Sequence, residues 1–399
     1  MSLHVPSEAV LPISRGAPDR YRIAFAIHRY FDYGGLERVF RRVVLACADL
    51  GHNVQVLTSA WDGPRPENLH VRILPLAERT NHGRSREFAD VVRSIARQER
   101  FDCLVGFNKM PGLDVYRCGD PCLADHLRET KLPFVRWLPR YRTYLKLEEG
   151  IFGNSSDAAL LVLTESEKER IVRYYGAAES RIYVLPAGID RRRLHVTSDG
   201  ANVRASIRQP MGILDTDLFL LMVGSSFERK GVDRAILAMS SLPEYERRRA
   251  RLVIVGNGHA SSMKRLAKRL KLADQVVFAG AREDVANFYR SADILLHPAL
   301  QETGGATILE AMVSGLPVLV TENCGYASHV KRADAGLVCP HPFAQPVLNK
   351  LLGEMLSADA RRKWRQNAIA YCDRTDIYSM IETTIDMILT RAEKNRRAA

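Results

Sequence analysis

The chain is predicted to be an α/β protein of two Rossmann-like, doubly wound units facing across a cleft. Two observations carry this. Short apolar strands alternate with amphipathic helices along most of the 399 residues, an order that gives a parallel sheet with helices on both faces. The alternation also restarts after Pro186-Ala-Gly-Ile-Asp190, and a chain of this length, 46% apolar, exceeds one ordinary core.

Residues 1–20 contain Pro6, Pro12, Gly16 and Pro18 and read as a loose leader. The first unit, 21–187, opens with a strand at 21–27. Gly34-Gly35 follows. The next helix places Leu36, Val39, Phe40, Val43, Val44 and Cys47 three and four apart, one buried stripe, and stops at Gly51. Further strands are predicted at 53–58, 70–76, 101–107, 159–164 and 181–185. The second unit, 188–376, has predicted strands at 218–224, 252–255, 276–279, 293–297, 318–321 and 336–338. Helices are predicted between them at about 232–240, 263–270, 285–290 and 306–313. Three helical stretches close the chain. The last, from 377 to about 394, fits either unit by pattern alone.

Composition narrows the function. Lys plus Arg number 58 against 46 Asp plus Glu, a net charge of +12. That balance suits nucleic acid, an anionic membrane surface or an anionic small substrate. No zinc-finger spacing or RNA-recognition aromatic motif supports the first, so no nucleic-acid partner is expected. Seven scattered cysteines in a long chain speak against a disulfide framework and for the cytosol. No apolar run approaches a membrane span, and no apolar core of a signal peptide opens the chain.

Two strand ends carry the chemistry. Glu302-Thr-Gly-Gly-Ala-Thr-Ile-Leu-Glu310 follows an apolar strand, crosses a Gly-Gly turn and enters a helix. Ligands bind at carboxyl ends of strands in such sheets, and a glycine turn opening a helix offers free N–H groups to phosphate. One carboxylate on the loop and one in the helix can accept hydrogen bonds from sugar hydroxyls. Gly224-Ser-Ser-Phe-Glu-Arg229-Lys230-Gly231 ends the first strand of the second unit. Its two cations beside a helix start suit a diphosphate, whose charge develops when a sugar leaves it. Either motif alone reads as a solvated turn; together they read as a ligand site. Two decoys are set aside. Asp215-Thr-Asp217 sits in a turn, where Asp commonly shapes the backbone, and Gly256-Asn-Gly258 lacks the third glycine of a dinucleotide fingerprint.

With these residues in view, the chain resembles a retaining glycosyltransferase carrying the Glu–seven–Glu motif (glycosyltransferase family 4, GT-B architecture). It is similar more narrowly to the lipopolysaccharide core glucosyltransferases I. The matching stretches include Gly34-Gly35-Leu36, Asn81-His82-Gly83-Arg84, Gly106-Phe-Asn-Lys-Met-Pro-Gly-Leu-Asp-Val-Tyr116, Arg229-Lys-Gly-Val-Asp233, Leu295-Leu-His-Pro-Ala299 and Cys324-Gly-Tyr-Ala327. The resemblance implies that Glu310 holds ribose hydroxyls, Glu302 lies near the donor sugar, and Arg229 and Lys230 bind the diphosphate. It implies that Gly34 and Gly35 approach the donor phosphate, and that His297, Gly304 and Gly305 shape the donor pocket. Asp114 would face the cleft and position donor or acceptor. The final helix, about 377–399, would return to the N-terminal unit. No metal and no cofactor beyond the UDP-sugar donor is expected. The run Gly-Gly-Leu-Glu37-Arg38-Val39 departs from the Gly-Gly-Leu-Gln-Arg-Asp of those relatives, and Ser328-His329 replaces their His-Tyr, so the donor pocket can differ.

One segment bears on location. Residues 128–146 hold Arg128, Lys131, Arg136, Arg140, Arg142 and Lys146 among Phe134, Trp137, Tyr141 and Tyr144. Cations attract anionic headgroups and aromatics sit at headgroup level, so peripheral attachment to the inner face of the cytoplasmic membrane is expected. Pro133 and Pro139 break any single amphipathic helix there. A basic surface lobe or a groove for an anionic acceptor is the plainer alternative. The expected activity is transfer of a hexose, glucose from UDP-glucose, to a heptose of the lipopolysaccharide inner core. Another donor sugar or glycolipid acceptor, or a silent membrane-attached nucleotide-sugar binder, stays open at this stage.

Overall fold

A computed structural model describes residues 20–32, 34–129, 133–194 and 200–398. All but the last residue of the leader, and Lys131 of the basic segment, lie outside them. The strands of the N-terminal unit are β1 (Arg22–Ala26), β2 (Arg29–Phe31), β3 (Asn53–Thr58), β4 (Ala60–Asp62), β5 (His70–Ile73), β6 (Cys103–Gly106), β7 (Val115–Arg117), β8 (Ala159–Val162) and β9 (Ile182–Val184). Those of the C-terminal unit are β10 (Leu218–Val223), β11 (Ala250–Val255), β12 (Val276–Gly280), β13 (Ile294–His297), β14 (Val318–Thr321) and β15 (Gly336–Cys339).

Two parallel sheets form, in the orders β5-β3-β1-β6-β7-β8-β9 and β12-β11-β10-β13-β14-β15. β10 shows why. Every residue from Leu218 to Val223 is buried, because helices cover both faces of the sheet. Phe219, Leu221 and Val223 pack with Ile308 and Met312 on one side, while Leu220 and Met222 pack with Ile236 and Met239 on the other. In each sheet the strand order reverses beside the first strand, between β1 and β6 and between β10 and β13. A crevice opens at such reversals, at the carboxyl ends of the strands.

The chain crosses between the units twice at one place. Leu185 belongs to the N-terminal core and Ala187 to the C-terminal one. Beside this crossing the Ile189 N–H donates to Ile377 O at 3.0 Å. The last helix, Met380–Ala398, then packs Ile381, Ile385 and Ile388 against Phe25 and Phe40 of the N-terminal unit.

Some elements differ from the sequence prediction. β2 and β4 pair with each other in a separate two-stranded sheet, and β7 lies where no strand is predicted. Each is only three residues long, too short for a periodicity to emerge. Helices at Gly200–Arg208, Glu244–Arg249 and Ala327–Ala333 were also not foreseen. Among the described residues, no helix is long and apolar enough to cross a membrane.

Candidate active site

A cavity of about 1330 Å³ lies between the two sheets' carboxyl ends, lined by both units. Its C-terminal wall is built by the exits of β10 and β13. The β10 exit turns at Gly231, which has φ 72° and caps the helix Val232–Ser240. A Cβ there would stand 2.1 Å from Pro298 O, so only glycine lets this turn close against the β13 exit. The turn carries Arg229 and Lys230 into the cavity. Arg229 is exposed. Lys230 is not: its Nζ meets Glu302 Oε1 at 2.5 Å, with side-chain exposures of 8% and 15%.

Glu302 is doubly held. Its second oxygen lies 2.6 Å from His297 Nε2, and the His297 side chain is 1% exposed. Burial pushes the Glu302 carboxyl up, but the His297 hydrogen bond and the Lys230 ammonium outweigh it and keep its pKa well below the usual carboxylate range. Burial, reinforced by the Lys230 charge, lowers the His297 pKa. The arrangement is an ionised carboxylate between an ammonium and a neutral imidazole that donates Nε2–H. Cys324 Sγ lies close enough to His297 and Glu302 for the three to form a metal-type donor set. Lys230 already pairs with its carboxylate, and burial pushes the Cys324 thiol up to about 12.

Past Glu302 the chain turns at Gly304 and Gly305. Gly305 has φ 109° and caps the helix Ala306–Val313. Both glycines line the cavity, as does Glu310 one turn inside the helix. Glu310 is 2% exposed and accepts a hydrogen bond from Tyr289 Oη at 2.7 Å. Thr303 Oγ1 reaches across and donates to Gly119 O of the N-terminal unit at 3.1 Å. The motif loop therefore touches both walls.

The N-terminal wall begins with Gly34 and Gly35, at the start of the helix Gly35–Asp49. A Cβ on Gly34 would overlap Glu37 Oε2 at 1.7 Å. Glu37, 8% exposed, lines the cavity with its carboxyl pushed up by burial. Val39, the departure noted in the sequence, lines it too. Lys109 donates to Pro121 O at 2.6 Å and pairs with buried Glu148.

Asp114 requires a correction. It precedes β7 at the amino end of the sheet and does not line the cavity. One carboxylate oxygen accepts from the Leu104 N–H at 2.7 Å and the other from Asn395 Nδ2 at 2.8 Å. It ties the final helix to the sheet instead of facing the cleft. The acidic residue at the other end of β7, Asp120, is exposed and does line the cavity. Arg117, the last residue of β7, is 5% exposed and lines it as well. Sequence reasoning passed over both. Reading 115–117 as a strand would have found them, since the residues just past a strand's carboxyl end face the crevice.

Comparison with known proteins agrees with this geometry. The family pattern Glycosyltransferase Family 4 matches residues 33–193, and Glycosyl transferases group 1 matches residues 203–371. The chain is 39% identical to lipopolysaccharide glucosyltransferase WaaG of Escherichia coli over 367 residues, 92% of this chain and 98% of that one. A crystal structure of WaaG, described as a glycosyltransferase involved in lipopolysaccharide biosynthesis, superposes with a TM-score of 0.86 at 38% identity, covering 92% of this chain and 99% of the other. Anabaena HepE, solved in complex with UDP and glucose, shares the fold at a TM-score of 0.71, with 16% identity over 93% of this chain and all of its own.

Proposed function

The chain belongs to the family 4 glycosyltransferases, with two doubly wound domains in the GT-B arrangement, and from that premise we propose that it moves glucose from UDP-glucose to a heptose of the lipopolysaccharide inner core, with retained anomeric configuration. One observation carries the reading beyond membership. A single interdomain cavity collects Arg229, Lys230, Glu302, Glu310 and the Gly34-Gly35 helix start, the set a nucleotide sugar needs, beneath a relative named for glucose transfer to lipopolysaccharide.

The residues divide the work. Glu310, anchored by Tyr289, accepts hydrogen bonds from the ribose hydroxyls. Arg229, Lys230 and the helix start at Gly231 face the diphosphate and offset the charge that grows as the glycosidic bond breaks. Lys230 supplies the fixed cation in place of a metal, so transfer needs none. Glu302, ionised and held by two partners, orients Lys230 and faces the donor sugar. The acceptor hydroxyl attacks from the face the leaving group departs, and the leaving phosphate takes its proton. Asp120, on the opposite wall, lies where an acceptor hydroxyl would be oriented.

The acceptor is held in a membrane, and the basic segment supports docking there. It forms a 3-10 turn, Pro133–Trp137, and a helix, Pro139–Phe152. Phe134, Trp137 and Leu138 are 79%, 64% and 52% exposed beside exposed Arg136, Arg140 and Arg142. Apolar side chains exposed to that degree, ringed by cations, fit the anionic cytoplasmic leaflet. Tyr144 turns inward and lines the cavity instead. The test is a donor screen: UDP release from UDP-glucose, UDP-galactose and UDP-N-acetylglucosamine, with and without a truncated core acceptor. Acceptor-dependent release with UDP-glucose alone is expected. No acceptor-dependent release from any donor would leave a nucleotide-sugar binder.

A further inference from the structure

Arg117 carries a positive charge into the protein with no ion-pair partner among the described residues, only the field of exposed Asp120 three residues on. It is 5% exposed. Its Nε has no hydrogen-bond partner, and one terminal nitrogen donates only to Met380 Sδ at 3.7 Å. Other buried cations of the molecule are matched: Lys109 by Glu148, Lys230 by Glu302 and Arg208 by Asp293. A guanidinium keeps its proton at any ordinary pH, and an unmatched buried charge is costly. An anion absent from the folded chain itself would remove that cost.

The surroundings indicate which anion. Arg117 ends β7 and lines the interdomain cavity. Gly119 keeps its cavity side clear: a Cβ there would stand 3.3 Å from an Arg117 terminal nitrogen and 2.5 Å from Leu36 Cδ1. Leu36 lies in the first turn of the helix Gly35–Asp49, and a helix start favours an anion. Gly119 O accepts from Thr303, so this corner of the N-terminal wall meets the turn that follows Glu302. The site is therefore next to the donor end of the cleft.

We infer that Arg117 is a phosphate-binding cation of the cleft, contributed by the N-terminal unit to the diphosphate of the nucleotide donor. This rests on the nucleotide-sugar reading above. It gives the diphosphate a cation from each wall, Arg117 opposite Arg229 and Lys230, so that binding draws the two units together.

The test is calorimetric titration of wild type, Arg117→Met and Arg117→Lys with UDP, UMP and inorganic pyrophosphate, with thermal unfolding measured without nucleotide. Arg117→Met should bind UDP and pyrophosphate about ten- to a hundredfold more weakly, the loss of one charge-assisted contact. UMP should lose less, and Arg117→Lys should recover part. The nucleotide-free melting temperature of Arg117→Met should hold or rise, because an unmatched buried charge is gone. Unchanged UDP affinity in Arg117→Met beside a tight-binding wild type would overturn the inference alone, as would a lowered melting temperature with unchanged affinity, which marks a packing role. Absence of UDP binding by the wild type would overturn the nucleotide-sugar reading itself.

Discussion

At the residue scale, Lys230 and Glu310 are two groups of the cleft each held by a partner, Glu302 and Tyr289 respectively. Lys230 lines the cleft beside Glu302, and its replacement by Ala should lower turnover by roughly two to three orders of magnitude. From sequence it reads as an exposed lysine whose loss would leave stability alone. Its 2.5 Å pair with Glu302 changes that expectation. Removing it strands a buried carboxylate beside His297, a loss of about 3 kcal/mol or more. Lys230→Ala should thus melt lower than wild type; wild-type turnover in this variant would remove Lys230 from the mechanism. Glu310 makes a different claim, about nucleotide binding. Glu310→Gln keeps the shape and one acceptor, whereas Glu310→Ala loses the contact. Titration with UDP should show weaker binding in both, with Ala the weaker, and undiminished affinity in the Ala variant would place the ribose elsewhere.

At the element scale, the basic segment offers the clearest prediction. Arg136, Arg140 and Arg142 are exposed on it. Reversing all three to Glu should weaken binding to anionic vesicles by at least two orders of magnitude, at about 1 kcal/mol per basic residue. UDP affinity should survive, since these residues do not line the cavity. Co-sedimentation with neutral and anionic vesicles at low and high salt decides. Equal binding to both lipids, or indifference to the triple replacement, would assign the segment to the acceptor or to solvent. The two prolines were a legible part of this element: Pro139 starts the helix Pro139–Phe152 at its first turn, where its missing N–H costs nothing.

β7 shows where legibility ended. The long strands were readable because burial on both faces writes an unbroken apolar run, as in β10. Val115–Arg117 pairs in the middle of its sheet but is three residues long and ends in a charge. The resemblance sent Asp114 to the cleft when it belongs at the sheet's amino end, and without the strand Arg117 and Asp120 went unread. The Glu302–Glu310 and Arg229–Lys230 motifs were readable because each sits just past a long strand. That Lys230 pairs with Glu302, that His297 holds the same carboxylate and that Tyr289 anchors Glu310 were not, because such partners are brought together only by the sheet order.

At the scale of the whole molecule, two sheets present their carboxyl ends to one cleft. Adjacent crossings near Ile189 and Ile377 connect the units, and the final helix returns to the N-terminal one. The motif loop spans the cleft through Thr303 and Gly119. The cavity between the two sheets is lined by both units. We propose that this cleft transfers glucose to lipopolysaccharide core with retention. The most direct measurement is incubation of the protein with UDP-glucose and a truncated inner-core acceptor, without added metal and with chelator present, followed by analysis of the product's glycosidic linkage. The expected product is an α-linked glucose on a heptose, formed at the same rate with and without chelator. A β-linked product, or product formation that requires a divalent cation, would contradict the proposal.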